Sequence, residues 1–271
     1  MDFLRIGGTR LECRWTGPAP DRAPTIVFLH EGLGSVSTWR DFPDALAAAT
    51  GCGALVYSRA GYGRSDPVPL PRPVRFMHDE AKVLRDVLRE AQVREPILLG
   101  HSDGASIALI AAGSAPIPGL RALVLEAPHV FAEPYGLESI ARIADVYRTT
   151  KLRERLARHH GDNTDVAFWG WNRVWLDPDF RAWNIEAVLP GVTVPTLVVQ
   201  GEDDEYGTRA HVESIQRRSG GPVETLLVPR CGHAPHAERR DRVLAAMARF
   251  IRSVPGADEA RAPVVGRSAA R

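Results

Sequence analysis

Short apolar runs recur along the chain, separated by stretches in which apolar residues return every three or four positions. TIVFLH (25–30), ALVYS (54–58), PILLGH (96–101), RALVLEAP (121–128), VPTLVVQG (194–201) and VETLLVP (223–229) read as strands, several of them apolar on both faces. MHDEAKVLRDVLREAQV (77–93) places Val83, Leu84, Val87 and Leu88 at helical spacing. SIALIAAG (106–113) predicts an apolar helix, and HAERRDRVLAAMARFIRSV (236–254) a closing one. FLRIGGTRLECRWTG differs, because its alternation around Gly7–Gly8 predicts a hairpin. Doubly apolar strands separated by helices predict an α/β fold with a mostly parallel, doubly wound sheet covered on both faces.

The alternation stops between residues 128 and 190. That segment carries helical patterns without a strand and is rich in tryptophan. It predicts a helical cap inserted into a core made of residues 1–127 and 191–255. Beyond Pro255, GADEARAPVVGRSAAR is small, charged and aperiodic, so residues 256–271 are expected to form a disordered tail. No internal repeat is present.

Bulk properties narrow the function by exclusion. A chain of 271 residues suits one large domain with an insertion. A net charge of +1 offers neither nucleic acid nor an anionic membrane an electrostatic partner. Lys82 and Lys151 are the only lysines and lie in no motif, which argues against Schiff-base chemistry. Cys13, Cys52 and Cys231 form no CxxC pair and no metal-ligand spacing, as expected in a reducing compartment. The opening MDFLRIGGTRLECRW has acids and no long apolar run, unlike a signal peptide, and no stretch is apolar enough to span a membrane. The expected location is cytoplasmic.

GHSDG (100–104) carries the chemistry. It is a G-x-S-x-G pattern, preceded by the strand PILLGH and followed by an apolar helix. A sharp strand-to-helix turn would lift Ser102 above the C-terminal sheet edge, where open α/β folds bind ligands. A serine hydroxyl needs a base to remove its proton and an acid to orient that base. Two later strand ends offer both. LVVQGEDDEYG (197–207) supplies Glu202, Asp203 and Asp204, and LLVPRCGHAPHAE (226–238) supplies His233 and His236. Glu126, at the end of another strand, is a further acid candidate, and His101 reads as a buried supporting residue.

Taken with LHEGLGSVSTW, YSRAGYGRSD, GHSDGAS, GEDDEYG and CGHAPHAE in that order, the chain resembles α/β-hydrolase-fold serine hydrolases over nearly its whole length. The resemblance includes carboxylesterases and enol-lactone hydrolases. It implies a triad of Ser102, Asp204 and His233, with Asp204 at the Gly-x-x-Asp position and His233 in the late Gly-His pair. It places the oxyanion donors at the backbone N–H of Asp103 and of Gly32, with Leu33 as the alternative to Gly32. No metal, nucleotide, flavin or other cofactor is implied, and the expected partner is a small-molecule substrate. The chain departs from the family in His30–Glu31–Gly32, where relatives usually read His-Gly, so a second carboxylate comes close to the expected hole. SRAGYGRSD (58–66) reads as a structural turn, with Arg59 and Asp66 hydrogen-bonding the loop.

Three roles are open for the Asp103 carboxylate: a helix-start acid that never meets substrate, a partner with Glu31 for a cationic substrate group, or a protonated donor. Phe168, Trp171 and Trp175, at i, i+3 and i+7, are expected on one helix face, either lining an apolar pocket over Ser102 or packing the cap onto the core. The expected activity is hydrolysis of a small ester or lactone through an acyl-enzyme. Carbon–carbon bond hydrolysis, cofactor-free elimination and slow-turnover ligand reception are the alternatives.

Overall fold

The structure is a computed structural model that describes residues 2–255; the segment expected to be a disordered tail lies outside the described residues. Eight strands form one sheet in the order β1-β2-β4-β3-β5-β6-β7-β8. They are β1 Asp2–Ile6, β2 Thr9–Thr16, β3 Thr25–Leu29, β4 Gly53–Tyr57, β5 Pro96–His101, β6 Ala122–Glu126, β7 Thr196–Gly201 and β8 Val223–Val228. β1 and β2 form the expected antiparallel hairpin, β2 pairs antiparallel with β4, and every pair from β4 to β8 is parallel.

Every residue of β3 to β7 is buried, because helices cover both faces. The period-2 alternation divides them. Val27, Leu29 and Leu98 face a core shared with α2 (Phe76–Glu90) and α3 (Asp103–Ser114), whereas Ile26, Phe28 and Leu99 face one shared with α1 (Phe42–Thr50) and α9 (Arg240–Ser253). Three helices, α4 (Pro134–Thr149), α5 (Leu152–His160) and α6 (Thr164–Trp175), occupy the stretch between β6 and β7, with single 3-10 turns and one isolated bridge, Phe131–Asn184.

The closing helix departs from expectation. It is two helices, α8 (Pro235–Glu238) and α9, interrupted at Arg239 with φ −132°. The Glu238 carboxylate turns back to accept the N–H groups of Gly232 and Ala234, which holds the loop before α8 in a tight turn. Helices α7 (Ala210–Arg218) and α1 carry no separate periodic run in the sequence.

The strand that leads to Ser102 sits in the middle of this sheet, so its packing should control global stability. Leu98→Ala, at a fully buried position, is expected to cost about 2–5 kcal/mol. Equilibrium urea unfolding measures it, and a loss below about 1 kcal/mol would contradict the packing described.

Candidate active site

Ser102 lies between β5 and α3 with φ 52° and ψ −117°, a conformation that side chains other than glycine rarely adopt. Small neighbours make the turn possible. A Cβ on Gly104 would stand 2.1 Å from the Leu29 carbonyl oxygen, and one on Gly100 2.4 Å from the Gly104 backbone. The Ser102 N–H donates to the Glu126 carbonyl at 2.8 Å, which ties the turn to the neighbouring strand.

The loops after β7 and β8 meet at the same sheet edge. His233 Nδ1 lies 2.8 and 2.9 Å from the two Asp204 carboxylate oxygens, so Nδ1 carries the proton and donates. Asp204 also accepts from Gln200 Nε2 at 2.7 Å and from the Tyr206 N–H at 2.8 Å. Burial pushes its carboxyl up, but the His233 imidazole and these donors outweigh burial and hold it at about 2. Glu202 and Asp203 are exposed and have no contact of this kind with the imidazole. Glu126 is engaged elsewhere: its oxygens accept the His236 backbone N–H and His236 Nδ1–H, the latter at 2.8 Å. Of the Asp204–His233 and Glu126–His236 pairs, only the first brings its imidazole to the cavity beside Ser102.

Within the described residues, the N–H groups of Gly32, Leu33 and Asp103 donate to no protein acceptor. The loop that carries Gly32 and Leu33 is held from several sides. Buried Arg59 donates to the His30 and Glu31 carbonyls. From α5, His160 Nε2–H donates to the Leu33 carbonyl at 2.9 Å while its Nδ1 accepts the Gly63 N–H at 3.0 Å. Trp171 packs so closely that a Cβ on Gly32 would stand 2.1 Å from its indole nitrogen. Arg59 and His160 act through long-range contacts; the sequence marks the first only as a loop residue and the second not at all.

These elements surround a cavity of about 280 Å³. Glu31, Gly32, Leu33, Ser102 and His233 line it, as do Trp171 and Trp175 from α6. Phe168 does not, which corrects its expected place in the pocket. It is fully buried and stacks on Tyr147 of α4 with ring centroids 3.6 Å apart, so it packs the helices between β6 and β7 against one another. An offset of three residues from Trp171 kept it on the same side of the helix but not at the same neighbour. Tyr206, Glu205, Glu238 and His129 also line the cavity, and nothing in their residue type or spacing marks them for it. Burial and the neighbouring His211 and His233 push His129 down to about 3, so it is a neutral imidazole there.

Asp103 is fully buried and does not line the cavity. One carboxylate oxygen accepts the Trp175 indole N–H at 3.1 Å, and the other is buried without a partner among the described residues. Burial raises its carboxyl above the usual range, against the pull of Arg59 and the indole. Glu31 behaves oppositely. Burial raises it too, but the His101 imidazole beside it wins and holds it well below the carboxylate range.

Donor atoms of His101, Glu126 and His236 come within 4.8 Å of one another, a spacing that suits a metal ion. Glu126 already spends both oxygens on His236, and His101 spends Nε2 on the His233 carbonyl at 2.7 Å. Glu126 and His236 are bonded to each other and His101 to the His233 loop, so most of the potential ligand atoms are already engaged.

The Asp103 environment has a measurable sign. With its folded value raised, its contribution to stability is full below the ordinary carboxylate range and is lost as pH rises through that folded value. Trp175→Phe removes the indole donor and should steepen that loss, costing about 1–3 kcal/mol at neutral pH in urea unfolding.

Comparison with known proteins bears on the fold and the family. The alpha/beta hydrolase family pattern matches residues 26–246. Serine hydrolase BPHL of Homo sapiens is 30% identical over 249 residues, covering 88% of this chain and 81% of that protein. A proline iminopeptidase of Lactobacillus delbrueckii subsp. lactis is 26% identical, over 69% of this chain and 63% of its own length. Among solved structures, the enol-lactonase from Burkholderia xenovorans LB400 superposes with a TM-score of 0.67 at 20% identity, over 92% of this chain and 99% of that one. The esterase from Exiguobacterium antarcticum does so with 0.71 at 18%, over 93% and 99%. The eight-stranded sheet, the strained serine turn and the match across most of the chain make it a member of the alpha/beta hydrolase family.

Proposed function

We propose that the chain is a serine hydrolase that cleaves a small carboxylic ester or lactone through an acyl-enzyme. One observation carries the reading: Ser102, at φ 52°, opens on the same cavity as His233, whose other ring nitrogen is bonded to buried Asp204. In this mechanism His233 Nε2 takes the Ser102 proton as Oγ attacks the carbonyl carbon. Asp204 fixes the tautomer and stabilises the imidazolium. The N–H groups of Asp103 and Gly32, or of Leu33, receive the oxyanion. The imidazolium then protonates the leaving alcohol, and water activated by the same histidine releases the acid. A lactone follows the same path with its leaving alkoxide still tethered. Residues 128–190 serve as the cap, excluding water through Trp171 and Trp175. A cytoplasmic location belongs to the same reading, supported by three cysteines that are all free and buried.

The lining supports a preference as well. Glu31, Glu205 and Glu238 border the cavity, and among the described residues no lysine or arginine does. A Cβ on Gly232 would stand 3.0 Å from a Glu238 oxygen and 3.1 Å from a Glu205 oxygen, so these two carboxylates converge at the rim. With the aromatic faces of Trp171 and Tyr206 nearby, the rim suits an ester that carries a cationic group. Asp103, sealed under Trp175, takes no part in that recognition.

A fluorophosphonate probe should label the wild type and not Ser102→Ala, and the substitution should lower kcat on a p-nitrophenyl ester by about 10⁴-fold or more. Retained turnover in the variant would remove the serine mechanism. Glu205→Gln should raise KM for an amine-bearing ester about three- to tenfold, leave a neutral isostere unchanged and reduce the salt dependence. Asp103→Asn should leave the preference between those two esters as it is. A changed ratio would place that carboxylate in the binding site after all.

A further inference from the structure

A carboxylate beside an oxyanion hole opposes the charge that the hole must stabilise. Glu31 directly precedes Gly32 and lines the same cavity as Ser102, with its side chain 26% exposed. The structure shows where its charge goes. A Cβ on Gly34 would stand 2.2 Å from Glu31 Oε2, so the carboxylate folds back over Gly34 toward the sheet edge. There Oε2 lies 3.6 Å from His101 Nδ1, an ion-pair distance, and that nitrogen has no hydrogen-bond partner among the described residues. The other nitrogen of His101 lies 2.7 Å from the His233 carbonyl oxygen, which can only accept, so Nε2 carries a proton.

His101 is 3% exposed and ends β5, one residue before Ser102. On the adjacent strand it is in register with Glu126, itself fully buried. The titratable groups that face it are Glu31 from the loop after β3, Glu126 from β6, His233 from the loop after β8 and His236 from α8. Its ring centroid is 5.1 Å from that of His233 and 5.3 Å from that of His236. Among the described residues, the Glu31 carboxylate has no salt-bridge partner but His101, and that of Glu126 has only His236, because Arg59 reaches Glu31 through its backbone carbonyl. A neutral His101 would leave Nδ1 as an acceptor facing a carboxylate, lone pair against lone pair. A protonated one presents Nδ1–H to Glu31 and Nε2–H to the His233 carbonyl.

We propose that His101 is a positioning residue whose imidazolium draws the Glu31 carboxylate away from the oxyanion site and pins the backbone of the His233 loop, so that the acid next to the hole does not oppose catalysis. The proposal rests on the serine-hydrolase reading for its effect on turnover, but the protonation it requires is a property of the folded protein alone. One buried ring then joins three segments: the oxyanion loop, the nucleophile turn and the loop of the base. Burial disfavours the His101 cation, yet Glu126 and Glu31 outweigh it and raise the group to about 9. Because the folded value is raised, the favourable interaction is full below the ordinary histidine value of about 6.5 and is lost as pH rises through about 9. Above that pH, Glu31 keeps its charge and loses the partner that restrains it.

The test has two arms. In the first, the histidine ring resonances of the full chain are followed by NMR between pH 6 and 10, with His101→Gln assigning the signal. The proposal expects His101 to be doubly protonated at pH 7, to titrate near 9 and to titrate at lower pH in Glu31→Gln. A His101 that is neutral at pH 7, or one indifferent to Glu31→Gln, overturns it whether or not any ester is turned over. In the second arm, kcat on a neutral ester is measured against pH. Wild type should lose activity above about 9, and Glu31→Gln should lack that decline. His101→Gln should be slower by about tenfold or more below pH 9, with the gap to wild type narrowing above it, and by less than the 10²–10³-fold typical of losing a hole donor. Adding Glu31→Gln to His101→Gln should restore part of that rate. Additive losses in the double variant, with the alkaline decline intact in Glu31→Gln, would reduce His101 to a packing residue. Absence of ester turnover in the wild type would count against the serine-hydrolase reading, and the NMR arm would still decide the role of His101.

Discussion

Ser102 can be presented only from a turn that most residues cannot enter, and the surrounding sheet is organised around that turn. Its positive φ costs about 1–3 kcal/mol, which the packing on either side must offset. The offset comes from central burial: β5 lies between β3 and β6, and α3 is apolar over most of its length. The close approach of Gly104 to the Leu29 carbonyl also sets how near the loop after β3 comes to the serine. The same packing that permits the strain therefore brings the backbone donors of Gly32 or Leu33 to it. Because β3, β5, β6, β7 and β8 are parallel, all their C-terminal ends open on one edge, and side chains more than a hundred residues apart in sequence become neighbours there.

Charge is distributed on that edge by environment. Asp103 and Asp204 are both buried aspartates, yet burial raises one carboxyl and a histidine partner lowers the other. The difference follows from their neighbours: an indole N–H and an unpartnered oxygen for Asp103, an imidazole and three further donors for Asp204. Divergent environments for like groups are a common arrangement in acid–base sites. The α5 and α6 helices add a second influence. His160 and Trp171 both contact the loop that carries Gly32 and Leu33, so the helices between β6 and β7 support the backbone donors as well as walling the cavity.

Much of this was legible in the sequence. The strands, the hairpin, the strand–Ser102–helix turn and the helical stretch between β6 and β7 all follow from local periodicity and from small residues at fixed offsets. The misjudged features share a different cause. Phe168 sits on the helix side expected, but facing Tyr147 instead of the cavity, because a helix in a bundle has two apolar neighbours. The break at Arg239 depends on Glu238 reaching back to backbone groups that precede α8. His129 and His160 lie in no motif, and these two, with Arg59 and Tyr206, matter through contacts distant in sequence.

The sequence alone determined the fold class, the place of the nucleophile candidate in it and the sheet edge at which acids and histidines would gather. These depend on hydrophobic periodicity and turn sterics, which act over a few residues. Only the tertiary structure decided which acid serves which histidine. Asp204 and Glu126, like His233 and His236, are equivalent by residue type and by position at a strand end or just beyond one. Their pairings span 29 and 110 residues. What distinguishes them is whether the imidazole ends at the cavity or under Trp39, and that is set by how α8 packs against the sheet edge, for which no local pattern codes.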